Sequence, residues 1–134
     1  MGQQQLLLLA LSAVIVGLSI VVGINLFSSG AGQANQDAVT QDALTIATRA
    51  QAWFRKPTQF GGGGRNFAPI TLADIRFPGT NDNGTYTITG TGTGPTANVV
   101  VVGTGNEDLN GDGNLLSVTI TASPDSITAT AIKQ

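Results

Sequence analysis

Apolar residues fill the chain from Leu6 to Phe27 with almost no interruption: LLLLALSAVIVGLSIVVGINLF, 22 residues in which Ser12, Ser19 and Asn25 are the only polar side chains. As an α-helix this run is about 33 Å long, close to the thickness of a bilayer's hydrocarbon core. Beyond it the pattern changes. Val39, Ala43, Ile46, Ala50 and Trp53 recur at spacings of 4, 3, 4 and 3, which places them on one face of a second helical stretch. Asp37, Gln41, Asp42, Thr45 and Arg49 take the other positions, and Pro57 marks the stop. Acids early and Arg49, Arg55 and Lys56 late complement the helix dipole. Between the two stretches, Ser28-Ser29-Gly30-Ala31-Gly32 has poor helix propensity and predicts a joint.

The pattern turns to period two after Gly84. Thr85-Tyr86-Thr87-Ile88-Thr89 alternates, with Tyr86 and Ile88 inward and the threonines outward. Val99-Val100-Val101-Val102 is a continuous β-branched run that reads as a central strand covered on both faces. Leu116–Thr121 and Ile127–Ile132 alternate again. Short Gly- and Asn-rich connections favour antiparallel pairing. The fold class is therefore α+β: a long N-terminal helix, hydrophobic then amphipathic, packed on a small antiparallel head of about four strands. Residues 1–54 form the helical rod with its joint at 28–32. Residues 55–79 form a connector containing the flexible Gly61–Gly64 loop and a short capped turn at Thr71-Leu72-Ala73-Asp74, and 80–134 form the head.

Composition narrows the chemistry. The chain of 134 residues has no Cys and no His, which removes disulfides, thiolate metal sites and His-based acid–base catalysis. With 6 basic and 8 acidic residues it carries no electrostatic footprint for nucleic acid. Its acids are scattered over loops with no convergent pair, so a structural or binding role is expected rather than catalysis. The Gly61–Gly64 loop lacks the GK[ST] of a phosphate-binding loop.

The first charged residue is Asp37 and the first basic one Arg49, so the apolar run has no basic flank to orient a resident membrane anchor. The run is also longer than the apolar core of a signal peptide. Both oddities resolve if Met1 is a mature N-terminus left by removal of a basic leader. Within the run, Ala10, Ala13 and Gly17 share one helix face, and Ser12, Ser19 and Gly23 supply a second small-residue face, as close helix–helix packing in an apolar medium requires.

The short polar MGQQQ, the apolar run directly after it, the amphipathic continuation and the β-rich tail together resemble the type IV pilin-like family. The resemblance implies a leader removed by a prepilin peptidase, methylation of the new N-terminus, and a precursor held in the membrane. Inner-membrane assembly machinery would then move the subunits into a homopolymer, an extracellular filament whose core is the apolar helices. The family usually carries Glu at the fifth mature position, and this chain has Gln5, which accepts a hydrogen bond from a neighbour's amine but cannot neutralise it. Met1, Gln5, Ala10, Ala13 and Gly17 are thus the expected processing and assembly residues. The alternative is a single-helix membrane-anchored surface or periplasmic protein whose β head binds calcium or a partner.

One loop carries ligand chemistry. Asp108-Leu109-Asn110-Gly111-Asp112-Gly113-Asn114 matches the first half of a calcium loop, with oxygen ligands on Asp108, Asn110, Asp112 and Asn114. The acid expected at the twelfth position is replaced by Thr119. The same residues are those a plain turn selects, and both readings stand. No other cofactor is indicated. Asn83-Gly84-Thr85 is an N-glycosylation sequon.

Overall fold

A computed structural model describes residues 2–134, residue 130 through its backbone only. A single helix, α1, runs from Gly2 to Arg55 and measures about 80 Å at 1.5 Å per residue. It is followed by the strands β1 (Thr80–Asn81), β2 (Gly84–Thr91), β3 (Asn98–Gly105), β4 (Ser117–Ala122) and β5 (Ile127–Lys133). These form one antiparallel sheet in sequence order, β1-β2-β3-β4-β5, and the C-terminal half of α1 packs across β3 and β4. The architecture is α+β, with one strand more than the alternation suggests. The extra strand is the two-residue β1, too short to leave a periodic signal.

The predicted stripe is the one that is buried. Val39, Ala43, Ile46 and Ala50 are fully enclosed with Ala47, and Trp53 and Phe54 close the far end. The sheet answers with Tyr86, Val99, Val101, Val118 and Ile120. Small residues let the two layers approach closely. A Cβ on Gly103 would stand 2.7 Å from the Val39 Cγ1, so β3 meets the helix where only glycine fits. Phe54 stacks on Phe67 with centroids 4.4 Å apart, and Phe77 meets Tyr86 edge-on at 5.4 Å.

Four details differ from the sequence pattern. The valine run of β3 is covered on one face only: Val99 and Val101 are buried, while Val100 and Val102 are half-buried on the outer face. There they stand in cross-strand rows with Thr87 and Thr119, and with Thr89 and Thr121. β5 is not a plain alternation, because a bulge opposite Thr119 and Ile120 shifts its register and brings Ile132 opposite Val118.

The third difference is the joint at 28–32, which is absent: helix continues through it. Extending an existing helix is cheap compared with nucleating one, so two glycines at about 1 kcal/mol each do not break it. Gly32 serves packing instead, since a Cβ there would approach Leu109 Cγ to 3.1 Å.

The fourth is the glycine loop, which is not a free spacer. Gly63 and Arg65 donate backbone N–H groups to the carbonyls of Trp53 (2.9 Å) and Phe54 (2.8 Å), and Gly64 donates to that of Lys56 (3.0 Å). Trp53 and Phe54 are in the last turn of α1, where carbonyls run out of helical N–H partners (that of Trp53 also accepts from Lys56 N–H at 3.2 Å), so the loop is the C-terminal cap of α1. The N–H groups of Gly61 and Gly62 go to the carbonyls of Thr58 (3.0 Å) and Pro57 (3.1 Å), so those of all four loop glycines are spent on backbone rather than on a phosphate. The loop lies over the Trp53 ring, whose indole N–H is buried without a partner. The Thr71 hydroxyl and the Asp74 carboxylate do cap one another, at 2.6 Å, though the segment between them is a set of turns.

A side chain on Gly63 has no room: its Cβ would lie 2.4 Å from the Trp53 ring and 2.5 Å from the Asn66 carbonyl. Gly63→Ala should therefore destabilise the head by about 1–3 kcal/mol. Gly79→Ala, whose Cβ meets only Leu72 at 3.6 Å, should stay within about 0.5 kcal/mol of the parent. Urea unfolding followed by Trp53 fluorescence measures both.

Candidate functional site

The feature demanding a partner is the N-terminal half of α1. From Leu6 to Phe27 every large apolar side chain is exposed, from 53% at Ile15 to 80% at Phe27. This stretch is long and apolar enough to cross a membrane, and none of it is covered by the head. Its hydroxyls are self-satisfied. Ser12 Oγ donates to the Leu8 carbonyl and Ser19 Oγ to that of Ile15, both at 2.8 Å. Neither therefore needs water, and both tolerate a dry surrounding. Gln5, Ala10, Ala13 and Gly17 all lie on this exposed half, and an added Cβ on Gly17 or Gly23 would meet nothing within 4 Å. Met1 lies outside the described residues.

At the base of the head a polar cluster pins α1 to the β1–β2 turn, and sequence reasoning missed it. One oxygen of Asp42, Oδ2, accepts from Tyr86 Oη (2.6 Å), Asn81 Nδ2 (2.8 Å) and Asn83 Nδ2 (2.9 Å). Asn35 Nδ2 donates to the Asn83 carbonyl at 2.8 Å, and Asn35 Oδ1 accepts from the N–H of Asn106 at 3.1 Å. The only signal in the sequence was an Asp next to the buried stripe and an Asn-rich turn 39 residues later. Burial works to raise the Asp42 pKa, but hydrogen bonds from Asn83, Tyr86 and Asn81 outweigh it and hold the carboxyl below its ordinary 3.8. Burial, with the Asp42 carboxylate beside it, pushes the Tyr86 phenol well above its ordinary 10.0. The Asn83 amide nitrogen, where a glycan would attach, is half-buried and engaged with Asp42.

The Asp108–Asn114 loop sits beside the same stretch of helix and closes on itself. Asp108 Oδ1 accepts from the N–H of Gly111 (2.8 Å), and Oδ2 from that of Gly113 (2.7 Å). Asp112 Oδ1 accepts from the N–H of Asn114 at 2.8 Å, and hydrogen bonds from Asn114 hold its carboxyl below the usual range. Asn110 Nδ2 donates to the Gln134 carbonyl at 2.7 Å. The structure thus brings Asp108, Asn110 and Asp112 together as a turn held by its own backbone. Among the described residues, no three His, Cys, Asp or Glu gather as a metal-holding group.

No family model, curated protein or solved structure matches this chain.

The Asp42 cluster predicts a pH dependence. The folded pKa lies below 3.8, so the charged carboxylate stabilises the fold fully above that value. That contribution is lost as pH falls through 3.8 toward the folded pKa. Asp42→Asn should cost about 1–3 kcal/mol at neutral pH and flatten the acid side of the stability curve. Urea midpoints between neutral pH and pH 3 read this out. An unchanged acid slope would show that the cluster does not carry it.

Proposed function

We propose that this chain is a structural subunit of an extracellular helical filament of the type IV pilus-like kind, polymerising through its apolar N-terminal half-helix. The observation that carries the reading is one continuous 54-residue helix, with a folded head clamped on one half and a bare apolar surface on the other. Water cannot surround that surface. At about 1.5–3 kcal/mol for each large side chain, leaving it wet costs tens of kcal/mol. Lipid covers it before assembly, and other copies of the same segment cover it afterwards.

Several features support copies over lipid as the final state. The helix passes from apolar half to head without a break, so the two move as one rod. No charged side chain interrupts the first 36 residues, so along their length parallel helices meet without side-chain repulsion. Gly17 and Gly23 open onto empty space where a neighbouring backbone can approach closely. In the same reading, a prepilin peptidase and a membrane assembly machine act upstream, and Gln5 offers an amide where type IV pilins usually carry a carboxylate.

A second reading, a single-helix membrane anchor carrying a binding head, is favoured by one observation, the match between the 22-residue run and a bilayer core. Gly17→Leu separates the two. Exchanging one apolar residue for another leaves a lone anchor in lipid unaffected. In a filament the larger side chain blocks close packing. The expected result is a several-fold loss of thin filaments in sheared cell-surface material, with the membrane-held pool undiminished. Wild-type cells whose sheared fraction contains no filaments of this chain would instead establish the anchor.

A further inference from the structure

The head has few charges, and they are sorted by position. Six of the eight acids lie toward the apolar half of α1: Asp37, Asp42, Asp82, Glu107, Asp108 and Asp112. Contacts fix that placement, because the loops bearing them are tied to the helix at Asn35 and Gln36 and pack over Gly32. Lys133 is the one base among them, which leaves this pole at a formal −5.

The other five bases, Arg49, Arg55, Lys56, Arg65 and Arg76, gather about the C-terminal end of α1. Arg65 donates its N–H to the Phe54 carbonyl, and Arg49 reaches the Arg76 carbonyl at 3.0 Å. Asp74 and Asp125 reduce this pole to a formal +3. Along the helix the outermost charges of the two poles, Asp37 and Arg55, are about 27 Å apart and the innermost, Asp42 and Arg49, about 10 Å.

Asp42, Arg49, Arg55 and Asp108 hold parts of the head by hydrogen bonds, but the charges are hardly paired with one another. Among the described residues a single ion pair forms, Arg55 with Asp125 at 3.7 Å, and both side chains are largely exposed. Lys56, Arg65, Arg76, Asp82, Glu107 and Asp112 are all exposed. Two of the bases also sit where the backbone prefers another residue. Arg65 and Arg76 adopt φ of 67° and 53°, the left-handed region that costs a side-chain-bearing residue about 1–2 kcal/mol and glycine nothing.

We propose that the two poles are complementary docking surfaces, the acidic base of one head meeting the basic top of a second copy of this chain. The inference rests on the filament reading. Rods that bury their apolar halves against one another in parallel and in stagger form a head-to-tail contact that does not close. The base of each head then faces the top of the next along the axis. With a Debye length of about 8 Å at physiological salt, even the innermost pair lies beyond one screening length, so the poles of one head largely do not neutralise each other. They act on what touches them. The contact supplies what apolar helices leaving lipid lack, a gain in energy absent from the membrane, and it fixes polarity because like poles repel.

Charge reversal in the full-length chain tests this, read as the amount of filament in sheared cell-surface material, with Trp53 fluorescence confirming a folded head. Arg65→Glu with Arg76→Glu takes the basic pole from +3 to −1, and Asp82→Lys with Glu107→Lys and the exposed Asp37→Lys takes the acidic pole from −5 to +1. Each set should lower filament yield at least about tenfold, since a like-charge junction costs more than 1.4 kcal/mol. All five substitutions together invert both poles, to +1 and −1, and should restore assembly. Filaments indifferent to single-pole reversal, or a quintuple variant that stays unassembled, would overturn the docking and leave the filament reading standing. Wild-type chain that forms no filament would overturn both.

Discussion

Everything in this molecule is subordinate to an apolar helix surface that the chain itself does not cover. Twenty-two residues stand free of the head, uncharged and with their serine hydroxyls bonded back into the helix. A surface of that kind has two dry environments available, lipid and its own kind. Moving between them changes apolar burial little, so close packing and contacts outside the apolar region decide the balance.

The head meets that constraint by holding the helix rigidly. Alanines 43, 47 and 50 let α1 lie close on β3 and β4, and Gly103 removes the last side chain in the way. Polar side chains along the border of the stripe then grip loop carbonyls. Gln51 reaches Ser123 at 2.7 Å and Arg55 reaches Pro124 at 2.8 Å, while Asp42 gathers three donors at the other end. The glycine loop closes the helix by capping its final carbonyls. A force applied to the apolar half is thus transmitted along an unbroken hydrogen-bonded helix into the head.

Much of this was legible in the sequence because it rests on periodicity. The buried stripe from Val39 to Trp53, the antiparallel strands and the outward threonines follow from spacing alone. The misses share a different cause, which is long-range contact. Gly30 and Gly32 lower local helix propensity, but tertiary packing at Leu109 and helix on both sides override it. The Gly61–Gly64 loop reads as flexible until its N–H groups are seen to complete α1. Val100 and Val102 look buried by composition, yet no layer covers the outer face of β3. The Asp42 cluster joins residues some 40 positions apart, and the turn chemistry of Asp108–Asn114 is shared by calcium loops and plain turns.

The absence of cysteine makes the central claim directly testable. A single Ala13→Cys substitution places one thiol on the small-residue face of the bare helix, away from the head. If copies of this chain cover that surface, treating sheared cell-surface filaments with a thiol-to-thiol cross-linker long enough to span the axial stagger between neighbouring helices should convert the chain largely to covalent dimers, and a thiol placed on the exposed head tip at Thr93 should not follow the same pattern. Monomeric Ala13→Cys chain throughout, in material where the thiol is shown to be reactive, would contradict the account.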